Sequence, residues 1–129
     1  MKLLLDTHAL VWWWLDDPNL PARARGLIAS AENTVCVSAV SAWELATKNR
    51  LVKWPAVDTI VSDFPALLRR SRFAPLPISV EHAREAGALA GAHRDPFDRM
   101  LIAQSKQENA ALISRDAMFG DFGVDVVWG

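Results

Sequence analysis

Met1-Lys2-Leu3-Leu4-Leu5-Asp6-Thr7-His8 is the stretch that decides the fold. Three consecutive leucines with no polar alternation read as a strand buried on both faces, the kind found inside a parallel sheet. The run stops at Asp6, where such a strand emerges. The next residues, His8-Ala9-Leu10-Val11-Trp12-Trp13-Trp14-Leu15, are too apolar for a surface loop and contain no Gly or Pro, so they read as a helix. Open α/β sheets bind ligands beyond the carboxyl ends of their strands, which makes Asp6 a site residue to weigh. On this stretch alone, Asp6 or Thr7 reads better as a cap for the helix that follows.

Working outward, Asp16-Asp17-Pro18-Asn19 is a turn cluster. Leu20, Ala24, Leu27, Ile28 and Ala31 then recur at helical spacing, until Glu32-Asn33 breaks the pattern. Thr34-Val35-Cys36-Val37 is a second buried strand. It ends at Ser38, where a third helix begins, carrying Val40, Trp43 and Glu44 to about Asn49. Leu51 to Pro55 is a connector. Val57, Ile60, Val61, Phe64, Leu67 and Leu68 continue a helical pattern that Pro65 kinks or splits. The prolines of Phe73-Ala74-Pro75-Leu76-Pro77-Ile78 make it extended, an edge strand at most. Ser79 caps a helix through about Ala90, with Ala83, Ala86, Leu89 and Ala90 inward.

Gly91-Ala92-His93-Arg94 is a loop. Asp95-Pro96 starts a helix that runs to about Asn109, Asp as N-cap and Pro in the first turn, with Phe97, Met100 and Leu101 on its buried side. Ala111 to Ser114 is the next buried strand, Arg115 to Gly120 a turn or short helix, and Val124 to Trp128 a last strand. This alternation predicts a single three-layer α/β/α domain over residues 1–129, built on a mostly parallel sheet of four or five strands.

The bulk properties agree with that class. A chain of 129 residues buries roughly two thirds of its unfolded surface as one domain. The single cysteine, Cys36, makes no internal disulfide and reads as a small buried hydrophobe. Asp6 cuts the N-terminal apolar run too short for a signal-peptide core, and no stretch is long enough to span a bilayer, so a soluble cytoplasmic protein is the default expectation. Fourteen Lys and Arg against fifteen Asp and Glu leave no overall basic footprint. The local positive clusters are Arg69-Arg70-Ser71-Arg72 and Lys48-Asn49-Arg50 with Lys53. Acids gathered in one cleft would leave the remaining surface net basic.

Four acids fall at equivalent places. Asp6 ends the first strand, Glu44 lies early in the helix after the second, Asp98 is in the first turn after Asp95-Pro96, and Asp116 follows the strand Ala111 to Ile113. Parallel topology puts all four at one edge of the sheet. Each has an ordinary explanation: Ser41-x-x-Glu44 fits a capping box, Asp98 sits favourably near a helix N-terminus, and Asp116 could cap a turn. Four independent caps on one rim are a weaker explanation than one shared role, and this reverses the first preference for Asp6. Crowded carboxylates repel and raise one another's pKa. A cation relieves them, and oxygen-only ligands suit Mg²⁺ or Mn²⁺ rather than zinc. Thr7 and Ser114 supply auxiliary hydroxyls.

Other chemistries fit less well. No Gly-rich phosphate loop follows the first strand, and no Gly-x-Ser-x-Gly elbow is present. His8, His82 and His93 show no paired metal spacing and read as packing or loop residues. A Mg²⁺-dependent phosphohydrolase of the haloacid-dehalogenase kind would want an acid where His8 stands. Leu-Leu-Leu-Asp6-Thr7-His8, Ser41-Ala-Trp-Glu44-Leu-Ala-Thr-Lys48, Asp95-Pro-Phe-Asp98-Arg-Met-Leu-Ile-Ala-Gln104 and Ser114-Arg-Asp116 together resemble the acidic motifs of PIN-domain nucleases, and in size and order they are similar to VapC-type toxins. The resemblance implies that Asp6, Glu44, Asp98 and Asp116 are the catalytic, metal-binding acids, with Ser114 beside the last and Asp95 a cap or auxiliary acid. It further implies an endoribonuclease using one or two Mg²⁺ or Mn²⁺ ions, a homodimer or a hetero-oligomer with a small cognate antitoxin, and RNA as substrate. Lys48, Arg50 and Arg99 are the basic side chains available for flanking phosphates, with salt bridging an equally good account of them.

Trp12, Trp13 and Trp14 stand apart from the acids. Consecutive helical residues advance about 100° each, so three indoles cannot share one core stripe, and at least one is expected at the surface or an interface. A binding role for this apolar excess, as a dimer face or a groove for an antitoxin segment to which Trp54 contributes, is the alternative to catalysis.

Overall fold

The structure is a computed structural model that describes residues 1–129 apart from Lys53, Ala92 and Arg94. The placing of Lys53 in a basic cluster, and of Ala92 and Arg94 in the loop before Asp95, thus lies outside the described residues.

The leucine run becomes strand β1 (Lys2–Leu5), with Leu3, Leu4 and Leu5 all fully buried. Alternate side chains of a strand leave on opposite faces. Leu3 and Leu5 accordingly join a core that includes helix α1 (Thr7–Trp14), and Leu4 joins a second core on the other face. Strands β2 (Thr34–Ser38) and β4 (Ala111–Ile113) flank β1 in parallel, with Leu4 in register with both Cys36 and Leu112. Strands β3 (Ala74–Leu76) and β5 (Val126–Val127) form the edges of a wholly parallel, five-stranded sheet in the order β3-β2-β1-β4-β5. Pro75 is tolerated in β3 because that strand is an edge.

Helix α2 (Ala22–Ala29) and helices α4 (Asp58–Ser62) and α5 (Phe64–Ser71) join α1 on the first core. Helix α7 (Pro96–Gln107), with α6 (Val80–Ala88) packed against it, covers the second. Helix α3 (Ala39–Val52) reaches both, Val40 in the second core and Leu45 in the first. Among the described residues no helix is long and apolar enough to cross a membrane.

Some expectations change. The third helix runs on to Val52, so Leu51 and Val52 are exposed helical residues and not part of a connector. The pattern from Val57 to Leu68 splits at Asp63, with Pro65 in the first turn of α5, the position where its missing N–H is harmless. Ala86 of α6 is buried, but Ala83 and Ala90 are exposed, and His82 takes the inward place. Ser79 is the reason. Its hydroxyl accepts the His82 N–H at 3.0 Å while its own N–H donates to His82 Nδ1 at 3.0 Å, a reciprocal cap that pins the ring inward. With Nδ1 accepting, the proton sits on Nε2, which donates to Glu108 Oε2 at 3.0 Å.

Helix α7 ends in a Schellman turn. Asn109 takes the left-handed conformation at φ 52°, Ala110 N–H donates to the Ser105 carbonyl at 3.0 Å, and Asn109 N–H reaches the Lys106 carbonyl. The turn delivers the chain into β4. Arg72 does the same between α5 and β3, at φ 58° with Phe73 N–H on the Leu68 carbonyl.

Trp12, Trp13 and Trp14 are all half-buried. Trp12 packs on Trp128 and His8 with ring centroids 5.8 and 5.6 Å apart, Trp13 on Phe73 at 6.2 Å, and Trp14 edge-on to Phe64 at 5.2 Å. Trp14 Nε1–H also donates to Ser71 Oγ at 2.8 Å. The 100° advance spreads the three indoles over different borders of one core, and each keeps a surface-facing part.

Candidate functional site

Asp6 stands where β1 ends. Its N–H continues the sheet ladder to the Ile113 carbonyl at 3.1 Å, and one carboxylate oxygen accepts the Ala9 N–H at 2.8 Å, capping α1. The cap and the rim position coexist. Asp6 is only 9% exposed. Burial pushes its carboxyl above the usual range; the Ser114 hydroxyl, the Ala9 N–H and the charge of His8 pull it back, and the charge of Asp98 adds to the rise.

Thr7 and α3 build the second part. The Ser38 hydroxyl accepts the Val40 N–H at 3.0 Å at the start of α3. Ser41 is therefore inside the helix, and the capping box expected of Ser41 and Glu44 does not form. Thr7 Oγ1 instead donates to Glu44 Oε1 at 2.6 Å and lies 3.0 Å from Ser41 Oγ. Thr7 has one hydroxyl proton and gives it to Glu44, so Ser41 must donate to Thr7. The other oxygen of buried Glu44 receives the Lys48 ammonium. Lys48 thus pairs with Glu44, the salt-bridging account of it.

Asp98 rises from the first turn of α7. Asp95 is the N-cap, its Oδ1 accepting the N–H groups of Phe97 at 2.9 Å and Asp98 at 3.2 Å. The Asp98 Oδ2 meets His93 Nε2 at 2.8 Å. Burial again raises the Asp98 pKa foremost; the hydrogen bond from His93 lowers it, Asp95 raises it, His93's charge lowers it and Glu44 raises it. In sequence His93 reads only as a packing or loop residue. The available signal was its position: two residues before the N-cap Asp95, it can fold back over the third helical residue, Asp98.

Arg99 has a different job from the one expected. Four of its N–H donors go to backbone carbonyls, of Ala86 at 2.9 Å, Gly87 at 3.4 Å, Leu89 at 2.6 Å and His93 at 2.9 Å. The first three are carbonyls at the C-terminal end of α6 that have no helical partner. Arg99 ties that end, and His93, to α7. Arg99→Ala is expected to lower stability by about 2 kcal/mol, the scale of losing hydrogen bonds to a charged group. Arg99→Lys should rescue little of it, because one ammonium cannot reproduce a planar fork. Denaturant unfolding of the three proteins reads both outcomes.

Asp116 follows β4. It is exposed, its side chain accepts the Met118 N–H at 3.0 Å and caps the 3₁₀ turn Ala117–Phe122, and its N–H donates to the buried Ser114 Oγ at 3.0 Å. Ser114 is what links it to Asp6. Asp98 thus lies within electrostatic reach of both Asp6 and Glu44 on this rim, and Asp116 is its exposed member. Among the described residues no three Asp, Glu, His or Cys side chains converge on one point that could hold an ion. Of the three basic side chains expected to face substrate, only Arg50 is exposed in the last turn of α3 without a described structural bond.

A model of the PIN-domain family matches residues 3–124 of this chain. Ribonuclease VapC16 of Mycobacterium tuberculosis is 38% identical over 73 residues, a stretch covering 54% of this chain and 50% of that protein. The chain thus matches about half the length of that relative. VapBC2 from Rickettsia felis, solved bound to a DNA fragment from its promoter, superposes with a TM-score of 0.73 at 20% identity, covering 100% of both chains. VapC20 of Mycobacterium tuberculosis, described as a sarcin-ricin loop cleaving toxin, gives 0.69 at 16% identity over 98% of this chain and 99% of that one.

Proposed function

This chain belongs to the PIN-domain family, and from that premise we propose that it is a divalent-metal-dependent endoribonuclease, the toxin of a toxin–antitoxin pair. The observation that carries the reading is the pairing of Asp6 and Asp98, two half-to-fully buried acids on one rim, where the charge of Asp98 adds to the cost of ionising Asp6. The donor set is carboxylate and hydroxyl oxygen, which fits Mg²⁺ or Mn²⁺. Magnesium is held by one or two carboxylates and keeps several waters, so a site made of Asp6 and Asp98 needs no third convergent acid. Glu44, paired with Lys48, then acts through water, Asp116 acts through water or by attracting the cation, and the number of ions is one or two.

A divalent cation there supplies charge neutralisation at the scissile phosphate and a more acidic attacking water. The chain's own residues do the rest. Thr7 and Ser41 hold the Glu44 carboxylate in one orientation, Ser114 and the Ala9 N–H hold Asp6, and His93 holds Asp98. Such preorganisation of charge is the larger part of catalysis in phosphoryl chemistry.

Support for the partner comes from the relatives, several of which were solved as toxin–antitoxin assemblies. An apolar groove of about 380 Å³ between α3, α5 and β3, lined among others by Val37, Ala42, Phe64, Leu68 and Leu76, is where an apolar antitoxin segment would lie. The test is cleavage of RNA by purified protein. Activity is expected with Mg²⁺ or Mn²⁺, lost on chelation and restored by adding the ion back. Cleavage indifferent to chelator would remove the metal, and a protein that binds a partner yet cuts no RNA with Mn²⁺ present would be a binding module.

A further inference from the structure

Trp43 is 57% exposed, although every other tryptophan of the chain is half-buried. It stands directly before Glu44, and Phe97 stands directly before Asp98. The two helices that bring those acids to the rim thus bring these aromatics together. Their ring centroids are 4.8 Å apart with the planes at 76°, the edge-to-face arrangement aromatic pairs favour. Phe97 steadies the indole from one side and leaves much of it open to solvent. Seven residues further along α3, Arg50 returns to within about 20° of the Trp43 direction, roughly 10.5 Å along the axis. Ala46, also exposed, lies between them and is too small to fill the space.

We propose that Trp43, braced by Phe97, is the platform on which one unstacked base of a single-stranded RNA rests beside the acid rim, with Arg50 taking a backbone phosphate of the same strand. The proposal rests on the ribonuclease reading above and names the form of its substrate. Paired bases in a duplex present no free face, whereas single strands and loops stack readily on aromatic side chains. A protein partner would also cover an exposed indole. The favoured occupant is RNA because the platform adjoins the acids and shares its helix face with Arg50, an exposed cation that makes no ion pair or hydrogen bond among the described residues.

The test uses a uridine-rich single-stranded oligoribonucleotide carrying 5-bromouridine, and protein with Asp6→Asn so that the probe stays intact. Photocrosslinking is expected at Trp43 or Phe97. Adding Trp43→Ala should weaken binding of the single strand by about ten-fold or more, with Trp43→Phe restoring most of it and binding of duplex RNA unchanged. Trp43 is exposed, so both variants are expected to fold, and melting curves check this. Unchanged affinity in Trp43→Ala, crosslinks confined to other surfaces, or a change of oligomeric state in place of RNA affinity would overturn the platform while leaving the nuclease intact. A parent protein that neither binds nor cuts any RNA would overturn the nuclease reading with it.

Discussion

Asp6→Asn is expected to reduce RNA cleavage by at least about 10²–10³-fold, the cost of removing one charged element from a preorganised site. The same change should leave the protein as stable as its parent at pH 7, or more so. A carboxyl whose folded-state pKa lies above its unfolded value binds more protons when folded, so its ionisation at neutral pH costs stability. Asparagine carries no charge and still accepts the Ala9 N–H as a cap. The advantage should vanish as pH falls below the unfolded aspartate pKa of about 3.9, where the parent is protonated too. Single-turnover cleavage and melting curves at both pH values read the two halves. Loss of activity together with a large loss of stability would show that Asp6 serves the fold first.

Leu4→Ala is expected to cost about 2–5 kcal/mol, the range for emptying a fully buried leucine site. Leu4 is wholly buried on the central strand, in one core with Cys36, Val40, Leu101, Ile102 and Leu112. For a chain of this length the loss should appear as a fall in melting temperature of about 10 °C or more. Because β1 also carries Asp6, activity should decline with the folded fraction, and binding of metal by the protein that remains folded should be unaltered. A loss under about 1 kcal/mol would mean that the surrounding helices collapse into the space, contrary to a rigidly packed core.

The sheet was legible because its strands are short runs of Leu, Ile and Val punctuated by acids, serines and prolines. The rim positions of Asp6 and Glu44 were legible by topology, since a parallel sheet sends the residues after its strands to one edge, and that of Asp98 because α7, which leads into β4, must start at that same edge. What stayed hidden was the use of each polar side chain. Ser41 and Glu44 fit a capping box in sequence, but Ser38 had already capped the helix, freeing Ser41 for Thr7. Arg99 looked like any helical cation, and only the ending of α6 beside it shows why it is held. His82 was passed over for alanines because a reciprocal cap does not register in hydrophobic periodicity. Asp116 shares the rim in topology but stands exposed, its carboxylate capping a 3₁₀ turn, a use that strand order does not encode.

The chemistry of the RNA ends reports which groups do the cutting. Purified protein is incubated with RNA and Mg²⁺, and the new termini are identified. Hydrolysis by water at an acid-held metal leaves 5′-phosphate and 3′-hydroxyl ends, and these are expected. Ends bearing 2′,3′-cyclic phosphate and 5′-hydroxyl, formed by the neighbouring 2′-hydroxyl, would contradict the assignment of Asp6 and Asp98 as its centre.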